Sequence, residues 1–238
     1  MSILSVPLAN PAALSTRMSR LIALDADDLE LLTTAERNAR RSPARREVIR
    51  EGEPIRERRA LLSGWACRQR ILADGRRQIL AFLLPGDLIG ACQHRHPLAS
   101  TTLLAVTELV TCPAPAARPG SGLAEAYALS AAHDEHHLMA QITRLGRLSA
   151  YERLAEWLLE TGDRLALAGL AAPDAFRLPL TQEFLADALG LTPVHVNRTL
   201  QAMRRDGLLT LVSGVISFPD RARLERLVGY SAIRVAAG

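Results

Sequence analysis

Apolar positions recur along this chain with three rhythms, and each predicts a different kind of element. Residues 20–35 (RLIALDADDLELLTTA) set Leu21, Ile22, Leu24, Leu29, Leu31 and Leu32 around an acidic patch, which predicts one or two short amphipathic helices. From about residue 36 to 116 the rhythm shortens. Gly52, Gly64, Gly75, Gly86 and Gly90 punctuate segments of strand length, among them 65–72 and 78–84. Asp74-Gly75 predicts a two-residue hairpin, because glycine accepts the positive φ such turns demand. A β-branched run over 101–110 follows and Cys112-Pro-Ala-Pro-Ala ends it, so the region reads as an all-β sandwich or barrel.

After Pro119-Gly120 helical spacing takes over. Leu138, Ile142, Leu145 and Leu148 fall at i, i+4, i+7 and i+10, with Arg144 and Arg147 off the stripe. Ala124, Ala131 and Leu138 carry the period through the first half at seven-residue steps. Such a seam buries itself either on its own β-domain or against a second copy of the helix. Another helix is expected over 150–167, then a loop containing Gly169 and Pro173-Asp174.

The stretch 178–219 (LPLTQEFLADALGLTPVHVNRTLQAMRRDGLLTLVSGVISFP) is the most informative. Thr181 is a good N-cap before the apolar face of Phe184, Leu185, Ala188 and Leu189. Gly190 stops that helix, and Thr192-Pro193 restarts another almost at once, giving a helix-turn-helix. In the second helix Val196, Leu200 and Met203 must be core. Val194, His195, Asn197, Arg198, Gln201 and Arg204 are left on the other sides. Arginine can contact guanine through two hydrogen bonds, and asparagine or glutamine can do the same to adenine. His195, Asn197, Arg198 and Gln201 are therefore the candidate base readers. Thr181, Gln182, Thr192 with Pro193, and the wing turn Ser213-Gly214 are candidates for phosphate contact. The segment 208–218 around that turn reads as a hairpin.

Composition alone adds little. The 238 residues carry a formal charge of +4, and all 29 basic residues are arginine, a bias in keeping with a GC-rich genome. Placement is more informative: residues 151–189 hold 3 Arg against 7 Asp+Glu, and residues 190–238 hold 7 Arg against 3. A basic segment coinciding with a helix-turn-helix points to DNA. Three cysteines with no CxxC pair and no stretch of about 18 apolar residues lead us to expect a reducing, cytoplasmic setting and no membrane association. No Ser-His-Asp order, paired-carboxylate motif or glycine-rich phosphate loop supports catalysis.

LTQEFLADALGLTPVHVNRTLQAMRRDGLL, SGWACRQRILADGRRQILAFLLPGD and the element LLPGDLIG at 83–90 together resemble the Crp/Fnr transcriptional regulators over nearly the whole chain. The resemblance implies an α+β fold in three parts. These are an antiparallel β-roll of double-stranded jelly-roll type over 1–117, like cyclic-nucleotide-binding domains, a dimerisation helix over 118–147, and a winged helix-turn-helix over 148–238. It also implies a homodimer on double-stranded DNA, with RNA polymerase as a further partner. Two recognition helices would enter successive major grooves of a pseudo-palindromic operator about 34–36 Å apart.

Departures from the family pattern matter as much. In nucleotide-binding members a Glu after the glycine of the phosphate cassette holds the ribose, and an Arg followed by Ser or Thr holds the phosphate. Here Ala91 follows Gly90 and Ala99 precedes Ser100, so the effector pocket of Gly86, Gly90, Ala91, Ala99 and Ser100 is expected to be vestigial and cyclic AMP is not expected to bind. Arg95 can substitute only if its loop shifts. Iron–sulfur members carry an N-terminal cysteine cluster, and none precedes Cys67, so no cofactor is expected. The family's cytosine-reading Glu is replaced by Val194, while its Arg is retained at Arg198.

Weaker signals remain. His133, His136 and His137 share helical spacing suited to a metal, and Cys92-Gln-His94-Arg-His96 in the cassette segment has ligand spacing suited to metal or redox sensing, but the first are taken as solvated or interface residues and the second as loop residues, without metal. Cys67 is expected in the core. The nine arginines from Arg37 to Arg59 are interleaved with Glu47, Glu51, Glu53 and Glu57, which reads as a salt-bridged surface. A second reading makes the protein a ligand- or redox-sensing module that acts through protein contacts.

Overall fold

The computed structural model describes residues 9–90 and 96–233. Two helices open it, α1 (Ala13–Leu21) and α2 (Ala26–Arg37), the second capped by Asp25, whose side chain accepts from the Asp28 N–H. They cover one flank of a roll made of two antiparallel four-stranded sheets. The first sheet runs β1 (Arg40–Ser42), β8 (Leu109–Pro113), β3 (Arg59–Ser63), β6 (Leu88–Ile89). The second runs β2 (Glu47–Ile49), β7 (Thr102–Ala105), β4 (Ala66–Ile71), β5 (Arg77–Leu83). Leu61, Ala66, Leu83, Ile89, Leu103 and Leu109 fill the space between them.

The β4–β5 turn is longer than the two residues expected from Asp74-Gly75. The Leu72 N–H donates to the Arg76 carbonyl at 2.8 Å, leaving Ala73, Asp74 and Gly75 as the connection. Only Gly75 takes positive φ (+83°), whereas a two-residue turn of type I′ needs it at both positions.

Serine and threonine caps then set the helical half. Ser121 starts α3 (Gly122–Arg147), Ser149 starts α4 (Ala150–Leu167) with a capping box to Glu152, Thr181 starts α5 (Gln182–Leu189), and Thr192 starts α6 (Pro193–Arg205). The expected loop around Pro173-Asp174 is a hairpin turn joining β9 (Ala171–Ala172) to β10 (Ala175–Arg177). It enlarges the wing, β11 (Thr210–Val212) and β12 (Val215–Ser217), to a four-stranded sheet of order β11-β12-β10-β9. A last helix, α7 (Arg221–Val228), was not visible in the pattern.

The two halves share one core. Phe82 of β5 meets Trp157 of α4 edge-on at 5.5 Å and Trp65 at 6.0 Å, and Cys67 lies buried in the same cluster. Around it, Arg77 of β5 pairs with Asp187 of α5 at 2.6 Å, and the Gln78 side chain donates to the Asp187 carbonyl. The helix-turn-helix is therefore seated directly on the rim of the roll.

Candidate nucleic-acid interface

Glycine and threonine chemistry sets the geometry of α5 and α6. Gly190 ends α5 in the left-handed region (φ +63°), a conformation side chains resist. Two residues later Thr192 accepts from the His195 N–H at 3.2 Å with Pro193 at the first helical position. Val196 and Met203 are fully buried and Leu200 nearly so, which anchors α6 by the three positions expected to be core.

That anchoring turns the opposite face outward. Gln182, Pro193, Val194, Asn197, Arg198 and Gln201 line one open groove between α5 and α6. Val194, Arg198 and Gln201 are exposed and Asn197 half-buried. Arg198 has no ion pair among the described residues, so its guanidinium is free for an outside partner. His195 is exposed on the shoulder of the stripe, and its carbonyl accepts from the Thr199 hydroxyl. Thr181 lies at the mouth of α5, capping the Phe184 N–H, while Ser213 (φ +50°) and Gly214 form the exposed tip of the wing. Arg205 was overlooked. It lies seven residues after Arg198, on the same stripe of α6, and is exposed.

The β-roll holds a cavity of about 240 Å³ into which Gly90, Ala99 and Ser100 face. Gly86 does not belong there. It lies against α1, where a Cβ would come within 2.7 Å of the Arg17 side chain, and its bareness lets Arg17 reach Asp87. Ala91, Cys92, His94 and Arg95 fall outside the described residues. The lining includes no carboxylate among the described residues, but it does include a cation that the sequence pattern did not place there, Arg68 of β4.

His133 is buried, His137 half-buried with Nδ1 3.4 Å from Glu160 Oε1, and His136 exposed. Among the described residues no group of three or more His, Cys, Asp and Glu is placed to hold a metal. Burial pushes the Cys67 thiol up to about 12 and the Cys112 thiol to about 11, so neither supplies a reactive thiolate near neutral pH. Among the described residues two of the nine arginines between Arg37 and Arg59 form ion pairs, Arg50 with Glu47 of the same segment at 2.8 Å and Arg41 with Glu108 outside it at 2.5 Å.

Comparison with known proteins bears directly on this geometry. A family model described as cyclic nucleotide-binding domain matches residues 39–118, and one described as Crp-like helix-turn-helix domain matches residues 152–227. The chain is 36% identical over 162 residues to the nitrogen fixation regulation protein FixK of Bradyrhizobium diazoefficiens, covering 66% of this chain and 68% of that protein. It is 31% identical over 202 residues to the transcriptional activator protein FnrL of Cereibacter sphaeroides, covering 81% of each. The solved structure of FixK2 from Bradyrhizobium japonicum matches with a TM-score of 0.69 at 26% identity, over 82% of this chain and 98% of that one. This chain belongs to the Crp/Fnr family of transcriptional regulators. It is a DNA-binding regulator of that type, and the reading as a module working through protein contacts is not favoured. Among the described residues, no helix is long and apolar enough to cross a membrane.

Proposed function

We propose that the protein acts in the cytoplasm as a homodimer on a pseudo-palindromic operator, without cyclic AMP, and meets RNA polymerase there. The observation that carries this reading is the exposed, unpaired stripe of Val194, Arg198 and Gln201 on α6, flanked by Asn197. Arg198, Asn197, His195 and Gln201 read bases. Thr181, Gln182, Thr192 and the wing tip at Ser213-Gly214 hold phosphates. Pairing of two chains is supported by α3, which leaves Leu138, Met139 and Ile142 exposed at 41%, 56% and 67%. Independence from cyclic AMP is supported by Ala99 where a phosphate-binding Arg would stand and by the absence of a carboxylate for the ribose among the described lining residues.

The test is selection of bound sequences from a random DNA pool, followed by Arg198→Ala. We expect one palindromic sequence class from the native protein. The variant should lose roughly 1–3 kcal/mol of preference for it over random DNA while remaining a dimer. An unchanged specificity ratio refutes the assignment. Calorimetric titration with cyclic AMP should give no heat of binding. Micromolar affinity that disappears in Arg68→Ala would show instead that Arg68 supplies the missing counter-charge.

A further inference from the structure

We infer that Val194 reads the 5-methyl group of a thymine in each half-site, an inference that rests on the DNA-binding reading above. Val194 is the second residue of α6 and 60% exposed. The apolar residues that anchor α6, Val196, Leu200 and Met203, all turn inward, so the Val194 isopropyl group contributes nothing to that core. An exposed aliphatic group is costly in water and gains by being covered.

Its neighbours define what covers it. Asn197, Arg198 and Gln201 follow at i+3, i+4 and i+7, and all four line the same open groove. Seven residues of helix rise about 10.5 Å, roughly three base-pair steps, so the stripe spans a short run of consecutive pairs with Val194 at its N-terminal end. From Pro193 to Arg205, α6 contains no Asp or Glu. The Val194 side chain itself has no acceptor for the 4-amino group of cytosine, and covering that amino group with an isopropyl group would leave a donor unpaired. The one apolar feature a base displays in the major groove is the thymine methyl. Val194 complements it, while Arg198 supplies donors for guanine and Asn197 and Gln201 suit adenine. The helix thus selects thymine by attraction and rejects cytosine by desolvation.

The experiment uses the full-length protein and the operator obtained by selection. Each thymine in the half-site is replaced in turn by deoxyuridine, which removes only the methyl group. At one position we expect affinity to fall about fourfold, the value of one buried methyl. In Val194→Ala the thymine and deoxyuridine operators should differ much less at that position, and Val194→Glu should shift the preference there toward a C·G pair. Equal affinity for thymine and deoxyuridine throughout the half-site, or an unchanged base preference in Val194→Glu, overturns the inference while leaving the DNA-binding reading intact. If no operator emerges, or Arg198→Ala leaves specificity unchanged, both fall together.

Discussion

Beyond its first turns, helix α3 buries polar and charged side chains while Leu138, Met139 and Ile142 stand exposed among Glu135, His136 and Arg147, and the contrast between its two faces shows what each is for. Beyond its first turns the inward face carries Ser130, His133, His137 and Arg144. Arg144, off the apolar stripe as its spacing predicts, is 1% exposed. Its Nη2 lies 2.6 Å from Glu160 and 3.3 Å from Glu156, both on α4. Glu160 faces Arg164, which donates to Asp87 at 2.7 Å, and Asp87 also pairs with Arg17 of α1. The chain of charges joins α1, the β-roll, α3 and α4. On the outward face, Leu138, Met139 and Ile142 have no such partners. Burying charge is tolerable only where every charge finds its complement, so the inward face fixes how the parts of one chain sit together. Among the described residues nothing covers Leu138, Met139 and Ile142, which is the feature that supports the dimer proposed above.

The largest effect should come from breaking the inward network. Arg164→Ala leaves buried Asp87 with Arg17 as its one remaining ion-pair partner, beside the Leu84 N–H, and strips Glu160 of a neighbour. We expect it to destabilise the protein by roughly 3–5 kcal/mol, measured by denaturant unfolding. A loss below about 1 kcal/mol would show that the network is solvated and would erase the contrast between the faces. The opposite face should behave in the opposite way. Ile142→Asp should leave the unfolding free energy of the monomer within about 0.5 kcal/mol, because the side chain is exposed, yet convert the dimer to monomer in sedimentation and abolish operator binding. A dimer that survives this change would place the seam elsewhere.

The difference between the faces also marks what could be read in the sequence. Thr181, Gly190, Thr192-Pro193 and Ser213-Gly214 act through neighbours a few residues away, so the caps, the turn and the wing were legible from local chemistry. The same holds for Val196, Leu200 and Met203, whose spacing alone assigns them to the core. Arg17 and Asp87 meet across 70 residues, and Arg164 and Asp87 across 77. No periodicity distinguishes a charge that will be buried from one that will be solvated, so the position of Arg144 off the apolar stripe was legible and its burial was not. Gly86 was misassigned for a related reason. Its motif suggested the effector cavity, but its lack of a Cβ serves the passage of Arg17 to Asp87. Turn length at Asp74-Gly75 and pairing at Pro173-Asp174 depend on strand register, which is likewise set by partners distant in the chain.

The smallest effect, and the sharpest test of the inward face, is its response to acid. Burial, reinforced by the positive charge of Arg17, holds His133 down at about 4 from an ordinary 6.5, so it is neutral in the folded protein. Between those values the unfolded chain binds the extra proton, and stability falls as the pH is lowered from 6.5 to 4. Burial opposes ionisation of Glu160, but His137, Arg144 and Arg164 outweigh it and hold the carboxyl at about 2 against an ordinary 4.5. Its contribution is present above 4.5 and is lost as the pH falls toward 2. Asp134 and Glu156, which burial pushes upward, act with the opposite sign, so the informative quantity is a difference between variants. His133→Asn should reduce the loss between pH 6.5 and 4, leaving the share of His137, which burial also holds down, and should leave the steeper limb below 4.5, to which Glu160 and Asp87, both held down against burial by their arginines, contribute. If the variant and the native protein lose stability in parallel over the upper window, His133 is protonated without cost, and the inward face is wetter than its ion pairs imply.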